Sequence, residues 1–184
     1  MKNLVIILSL LLLFVTACNK DEPVIPNDEE LITTLRLEFI TQDSSEIKII
    51  QFQDLDGDGG SAPVYQIDTL SANTNYSCRL YVLNESTTPA ESINPEIIEE
   101  GIDHQFFFLT QNGLNLSISY NDLDDNLNPI GINNYAFTQV ASQGTLTVVL
   151  RHQSDKFATG ANAGDLSNVG GETDIEVLFD MIIQ

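Results

Sequence analysis

Short segments in which apolar and polar residues alternate fill most of the chain after Leu31, and this pattern constrains the fold more than any other feature. In the first segment Leu35, Leu37 and Phe39 fall on one side of an extended chain, and the residues between them are charged. A period of two predicts strands with one buried and one wet face. Similar runs bring the expected total to about nine strands; they are Ile47–Phe52, Val64–Leu70, Tyr76–Leu83, Gln105–Leu109, Leu114–Tyr120, Ala136–Val140, Thr145–Arg151 and Ile175–Ile183.

The chain also repeats part of itself. Phe39–Gln42 reads Phe-Ile-Thr-Gln and Phe108–Gln111 reads Phe-Leu-Thr-Gln, and Asp54–Asp56 matches Asp122–Asp124 sixty-eight residues later. This offset indicates a duplication with halves at about 31–86 and 102–154. Each half is too small to bury its own apolar face, so the two would pack together. We therefore expect one all-β domain over 31–184, a two-layer antiparallel β-sandwich of about eight or nine strands with a closing strand at 173–183; an eight-stranded barrel is the alternative.

Two connections stand out between the strands. A helical turn is predicted after Ser92 or Asn94, either of which could cap it, with Pro95 in the first turn and Gly101 ending it. The longest irregular segment, 153–172, is rich in glycine, and loops of that length in compact domains are often functional or disordered.

A few residues are expected to pack rather than react. Phe106–Phe108 places aromatics on both faces of a strand, which predicts a central strand that is buried twice. Cys78 lies in an apolar run with no histidine nearby in sequence, which favours a buried structural thiol. His104 and His152 are far apart in sequence, so packing is favoured over zinc binding.

The N-terminus reads as a targeting segment. Leu4–Val15 is nearly unbroken apolar sequence, too short to span a bilayer as a helix, and Ala17 precedes Cys18. This run resembles the lipobox of bacterial lipoproteins. The resemblance implies a signal peptide at 1–17, a covalent lipid on Cys18 and a lipidated tether at 18–30. Several acyl chains on one residue would hold the protein firmly at a membrane.

The residues after the cysteine carry a second resemblance. Lys20, Asp21 and Glu22 are similar to the lysine-plus-acidic export signal of surface-exposed lipoproteins of the Bacteroidota. The resemblance implies an outer-membrane lipoprotein that faces outward.

The strongly negative net charge of the chain limits the classes of partner that it is expected to bind. The chain has 27 acidic and 7 basic residues, a formal charge of -20, and after signal removal the charge would be near -21. Nucleic acid is therefore excluded as an expected partner, because phosphate binding needs a basic surface. A glycan or a protein ligand stays open.

The first aspartate-rich loop is the best sequence candidate for a metal site. Asp54, Asp56 and Asp58 occupy positions one, three and five of a calcium-loop pattern, and Gly59 occupies position six. Position twelve is Tyr65, which supplies no carboxylate, so the loop is not a complete EF-hand. The alternative is a hairpin turn in which the aspartates bond their own backbone.

The repeat copy of this loop is a weaker calcium candidate. Asp122, Asp124 and Asn126 keep alternating oxygen ligands, but Leu127 stands where the glycine should be.

These features together favour a lipid-anchored cell-envelope lipoprotein that acts as a non-enzymatic binding or accessory module at the cell surface, with calcium as a stabilising ion. One alternative is a glycan-active hydrolase with two carboxylates in a cleft. Another is a structural protein of envelope assembly. No nucleophile motif or phosphate-binding loop singles out catalytic residues.

Overall fold

The computed structural model describes residues 31–57 and 60–184. Within them, no helix has the length and apolar character needed to cross a membrane. The described chain forms strands β1 (Thr34–Thr41), β2 (Ile47–Gln53), β3 (Val64–Ile67), β4 (Asn75–Asn84), β5 (Glu91–Ser92), β6 (His104–Gln111), β7 (Leu116–Tyr120), β8 (Asn133–Thr138), β9 (Ser142–His152) and β10 (Glu172–Ile183), with one α-helix, α1 (Asn94–Glu99), and a 3₁₀ turn at Ala161–Ala163.

The strands form two sheets that face each other. The large sheet has seven strands in the order β3-β2-β1-β4-β8-β7, with β5 on β4, and the small sheet has three in the order β10-β9-β6. All named strand pairs are antiparallel. The prediction of an all-β two-layer sandwich is confirmed, and the barrel alternative is wrong because the sheets do not close into one ring.

Alternation of side chains builds the core between the sheets. Leu35, Leu37 and Phe39 of β1 are fully buried, and the register aligns Leu37 with Leu80 of β4 and Ile50 of β2 on the same inner face. From the small sheet, side chains such as Phe106 and Phe179 join the same cluster. Burial of these apolar surfaces supplies the main driving force for folding, roughly 25 cal/mol per Å².

Part of the outer face of the small sheet is also covered. Phe107 and Val149 point away from the central core and pack with Ala161 and Val169 in a second buried cluster. Ala161 and Val169 belong to the segment 153–172, so this long connection is a cover over the small sheet. The Phe106–Phe108 strand is buried on both faces as predicted, but its placement at the centre of a sheet was wrong: β6 is an edge strand, and the cover buries its second face.

The cover is held in place by Lys156, which is 3% exposed. Its Nζ lies 2.7 Å from Asp124 Oδ2 and donates hydrogen bonds to the carbonyl oxygens of Gly101 at 2.6 Å and His104 at 2.9 Å. Burial lowers the pKa of the Lys156 ammonium, while the nearby Asp124 carboxylate opposes that shift. One buried cation therefore joins the cover to the β7–β8 connection and to the turn between α1 and β6.

The sequence halves do not correspond to the two layers. Strands β2, β3 and β4 begin at Ile47, Val64 and Asn75, and β7, β8 and β9 begin within one residue of the expected sixty-eight-residue offset. In the first half β1 pairs with β2, whereas β7 pairs with β8 in the large sheet and β6 pairs with β9 in the small one. The duplication stays a prediction, and the second half is divided between the sheets.

The predicted helical turn is present, but its predicted caps are wrong. The N-cap of α1 is Ile93, without a side-chain cap hydrogen bond, and Pro95 lies in the first turn as expected. The buried Asn94 side chain instead bridges the β4 backbone, since it accepts from Val82 N at 2.7 Å and donates to Leu80 O at 2.8 Å. Gly101 follows the helix, where a Cβ would meet Ile130 Cδ1 at 2.9 Å.

The buried ion pair predicts a large effect of one substitution. Lys156→Met removes the ammonium and leaves the Asp124 carboxylate buried without it, so we expect a loss of about 3–5 kcal/mol in unfolding free energy. Urea denaturation of the purified full chain, followed by circular dichroism, measures this loss. The matched control is Lys48→Met, since Lys48 lies 3.9 Å from Glu46 at a partly exposed site and should cost less than about 1 kcal/mol. Equal losses in the two variants would contradict the assigned role of Lys156.

Candidate functional site

The outer face of the large sheet keeps exposed side chains. The register brings Asn75 and Ser77 of β4 beside Phe137 and Tyr135 of β8, and these residues point away from the core. On the far side of β8, Ser117 and Ser119 of β7 continue the same row. This face contrasts with the outer face of the small sheet, part of which the 153–172 cover buries.

A cleft of about 540 Å³ lies on this face. It crosses four laterally adjacent strands, from the end of β1 through β4 and β8 to β7, and the β1–β2 turn forms one of its walls. Its size falls within the range of about 300–1,000 Å³ that is typical of small-molecule sites.

Two aromatic residues dominate the cleft. Tyr135 is 55% exposed and Phe137 is 40% exposed. They are two residues apart on one strand, so their side chains share a face at a spacing of about 6.7 Å. Two neighbouring aromatic rings that are exposed to solvent form an apolar patch, which favours binding of a ligand with an apolar surface.

Small polar side chains flank both rings. The cross-strand neighbours of Tyr135 are Ser77 and Ser119, and those of Phe137 are Asn75 and Ser117. Because serine and asparagine are short, they leave the rings uncovered and also supply hydroxyl and amide groups beside them. The arrangement offers apolar stacking and hydrogen bonding at the same place.

The cleft is uncharged although the chain is strongly acidic. None of the thirteen described residues that line it carries a charge, whereas the chain has 27 acidic residues. Elsewhere on the same face the charged side chains have local contacts: Arg36 pairs with Glu38, and the Arg79 guanidinium lies 5.2 Å from the centre of the Tyr81 ring. A neutral ligand thus meets no charge to desolvate in the cleft.

A hydrogen-bond network fixes the strand beneath one end of the cleft. The Tyr76 hydroxyl donates to Glu46 Oε1 at 2.6 Å and accepts from Ser71 N at 2.9 Å. The hydrogen bond from Tyr76 holds the pKa of the Glu46 carboxyl below its ordinary value. This network ties the start of β4 to the β1–β2 turn, which forms one wall of the cleft.

The first aspartate loop forms local turns. Asp54 Oδ1 accepts from Gly57 N at 3.0 Å, and Asp56 Oδ2 accepts from Ser61 N at 2.9 Å. Backbone hydrogen bonding from Ser61 lowers the pKa of the Asp56 carboxyl. Asp58 lies outside the described residues. The structure places the half-buried Asp54 and the exposed Asp56 in one turn, and calcium binding there stays a prediction.

The second aspartate loop has its carboxylates engaged within the protein. Asp122 accepts from Gly131 N and Asn133 N, each at 2.7 Å. Asp124 Oδ1 accepts from the backbone N–H groups of Asn126 and Asn128, each at 2.8 Å, and its Oδ2 faces Lys156. The backbone of Asn126 is thus held by Asp124. These contacts give Asp122 and Asp124 a structural role in the β7–β8 connection; calcium at Asp122, Asp124 and Asn126 stays a prediction.

The remaining sequence candidates divide in two. Cys78 is buried, and burial raises the pKa of its thiol, so the prediction of a structural cysteine is confirmed. Cys18, Lys20, Asp21 and Glu22 lie outside the described residues, and their predicted roles in lipidation and export stay predictions.

Sequence reasoning missed the two most informative groups of side chains. Alternation in the sequence is enough to place Tyr135 and Phe137 on one face of a strand. Only the strand order β4-β8-β7 shows that serine and asparagine flank them. His104 and His152 lie directly opposite each other on β6 and β9, a pairing that requires the strand register.

Comparison with known proteins gives no relative: no protein-family model, no curated protein and no solved structure matches the chain.

The two aspartate loops should respond differently to calcium. If the first loop binds the ion, calcium at a hundred times its Kd stabilises the full chain by about 2.7 kcal/mol, and Asp54→Asn with Asp56→Asn removes this gain. Asp122→Asn should cost about 1–3 kcal/mol in chelator, because its carboxylate accepts hydrogen bonds from backbone N–H groups, and a larger cost in calcium would show that the second loop also holds the ion. Thermal melting of the three proteins measures both effects. The same melting curve for the natural chain in calcium and in chelator would refute the first part.

Proposed function

We propose that this chain is a lipid-anchored cell-envelope lipoprotein whose β-sandwich is a non-enzymatic binding module for a neutral glycan. The observation that carries this proposal is the cleft on the outer face of the large sheet, where Tyr135 and Phe137 are exposed and the lining carries no charge.

The chemistry of the cleft suits a carbohydrate. A sugar ring presents a face of C–H groups, which packs against an aromatic ring, and a rim of hydroxyl groups, which need donors and acceptors. Tyr135 and Phe137 supply the aromatic rings, and Asn75, Ser77 and Ser119 supply the polar groups. A charged ligand finds no counter-charge in this lining, so a neutral glycan is the better fit.

The hydrolase alternative receives less support. A carboxylic acid catalyst needs a pKa raised toward neutrality. Five described carboxyl groups have clearly displaced pKa values, and each is displaced downward by hydrogen bonds; that of Asp43 falls to about 2. The uncharged cleft also offers no pair of carboxylates across a substrate.

The assembly alternative also receives less support. An assembly protein would present a long apolar edge strand for pairing with a partner. Strand β10 is a long edge strand, but Glu176 and Asp180 are exposed on it, and charge on an edge strand discourages strand addition.

The anchor and the calcium loop complete the proposal. The lipobox resemblance supports a lipid on Cys18, and the resemblance of Lys20, Asp21 and Glu22 to an export signal supports outward display on the outer membrane. Calcium at Asp54, Asp56 and Asp58 would stiffen the β2–β3 turn without taking part in glycan binding.

Outward display predicts digestion of the protein in intact cells. Protease added to whole cells should remove the domain, and a periplasmic protein measured in parallel should survive until the cells are lysed. Replacing Lys20, Asp21 and Glu22 with alanine should protect the domain, since the export signal would be lost. Protection of the unmodified protein in intact cells would contradict outward display.

Glycan binding is testable with soluble polysaccharides. We expect the purified full chain to bind at least one neutral polymer among laminarin, mannan, xyloglucan and starch, and to bind polygalacturonate, an acidic polymer, more weakly. Tyr135→Ala or Phe137→Ala should raise Kd about tenfold or more, equivalent to about 1.4 kcal/mol. Isothermal titration calorimetry measures these constants, and thermal melting should show intact folding because both side chains are exposed.

The matched control is Phe157→Ala. Phe157 is 75% exposed but lies on the 153–172 cover, outside the cleft. Its loss should leave glycan affinity unchanged. An equal loss of affinity in Phe157→Ala and Tyr135→Ala, or unchanged affinity in both cleft variants, would reject the assigned site.

A further inference from the structure

Two histidines meet at one end of the small sheet. His104 begins β6, His152 ends β9, and the strand register places them directly opposite each other. Their rings are stacked, with centres 4.5 Å apart and planes 10° from parallel. The chain contains no other histidine, so the fold gathers all its imidazoles at this point.

Carboxylates approach the pair from two further elements. Glu100, the C-cap residue of α1, has its Oε2 3.9 Å from His104 Nδ1. Asp174, at the irregularity near the start of β10, has its Oδ2 3.6 Å from His104 Nε2. The side chain of His104 is 7% exposed and that of Glu100 is 38% exposed, so the cluster extends from the protein interior to solvent.

We propose that Glu100, His104 and His152 form a binding site for a divalent transition metal of the zinc type. One ligand atom from each residue lies within 4.8 Å of the other two. Two imidazoles and one carboxylate are a ligand set that zinc uses in proteins, with a fourth position left for water or another group.

The ligand set selects among metals. Calcium and magnesium take oxygen ligands, whereas imidazole favours zinc, copper and nickel. The site is therefore different in kind from the predicted calcium loop around Asp54 and Asp56. The two carboxylates Glu100 and Asp174 also offset the charge of a dication in a partly buried place.

Binding requires a small closing movement. Ligand atoms around a tetrahedral zinc ion are roughly 3.4 Å apart, given Zn–N distances of about 2.0–2.1 Å. The Glu100 side chain is partly exposed and the His152 side chain is half-buried, so both can move inward. A ring rotation of His152 would turn its nitrogen toward the ion, because stacked rings do not aim two lone pairs at one point.

His104 is the fixed member of the site. Its backbone carbonyl accepts from the buried Lys156, and its Nδ1 lies 3.2 Å from Glu100 O. Metal binding at Nδ1 would replace that second contact and leave Nε2–H facing Asp174 Oδ2, which lies 3.6 Å away. A carboxylate in this position orients a metal-binding histidine and strengthens it as a ligand.

The test uses the purified full chain without a polyhistidine tag, because a tag would add competing imidazoles. Zinc chloride is titrated while the ring resonances of histidine are followed by NMR. We expect one zinc ion per chain and a change in both histidine rings, which are assigned by His152→Gln. Glu100→Gln should raise Kd for zinc about tenfold or more.

Glu99→Gln is the matched control, since it removes the same charge at the neighbouring residue, the last of α1, which lies outside the cluster. It should leave zinc affinity unchanged. Glu100→Gln keeps the size of a partly exposed side chain, so its melting temperature shows whether the fold is intact. The proposal is overturned if zinc changes neither ring or only one of them, or if Glu100→Gln and Glu99→Gln bind zinc equally.

Discussion

The buried ammonium of Lys156 is the interaction on which the rest of the structure depends. It contacts the Asp124 carboxylate and the carbonyl oxygens of Gly101 and His104 at once, and these groups belong to two separate connections, β7–β8 and α1–β6. A cation so deeply buried is tolerated only with such partners. Lys156 fixes the 153–172 segment, the longest connection of the domain, against the outer face of the small sheet. Its hydrogen bond to His104 O also fixes the backbone of one member of the histidine pair.

Because this segment lies on only one sheet, the outer faces of the two sheets differ. The small sheet is buried on its inner face, and the cover also buries its outer face around Phe107 and Val149, whereas Glu176 and Asp180 of β10 stay exposed. The large sheet uses one face for the core and leaves exposed side chains on the other. Within that face the charges of Arg36, Glu38 and Arg79 lie away from the neutral cleft. The proposed glycan site is therefore a property of the sheet surface rather than of the aspartate loops.

Sequence patterns predicted what depends on local order. Alternation around Leu35, Leu37 and Phe39 is enough to assign β1 and its buried face, and Pro95 with Gly101 locates α1. Features that depend on distant pairing were not predictable. Asn94 looks like a helix cap in sequence, yet it bonds β4; Lys156 looks like a solvated loop residue, yet it is buried. The sequence offset between the halves is regular, but it does not predict that β7 and β8 belong to the large sheet while β6 belongs to the small one. That assignment depends on pairing between strands that are distant in sequence.

The proposed function requires the ligand to lie on the outer face of the large sheet, over β8. Hydroxyl-radical footprinting with mass spectrometry tests this claim most directly, because exposed aromatic side chains oxidise readily and a bound ligand shields them. With a saturating neutral polysaccharide, we expect the oxidation of Tyr135 and Phe137 to fall several-fold while that of Phe157 stays constant. Unchanged oxidation of Tyr135 and Phe137 when the polysaccharide is bound would place the ligand elsewhere and contradict the account.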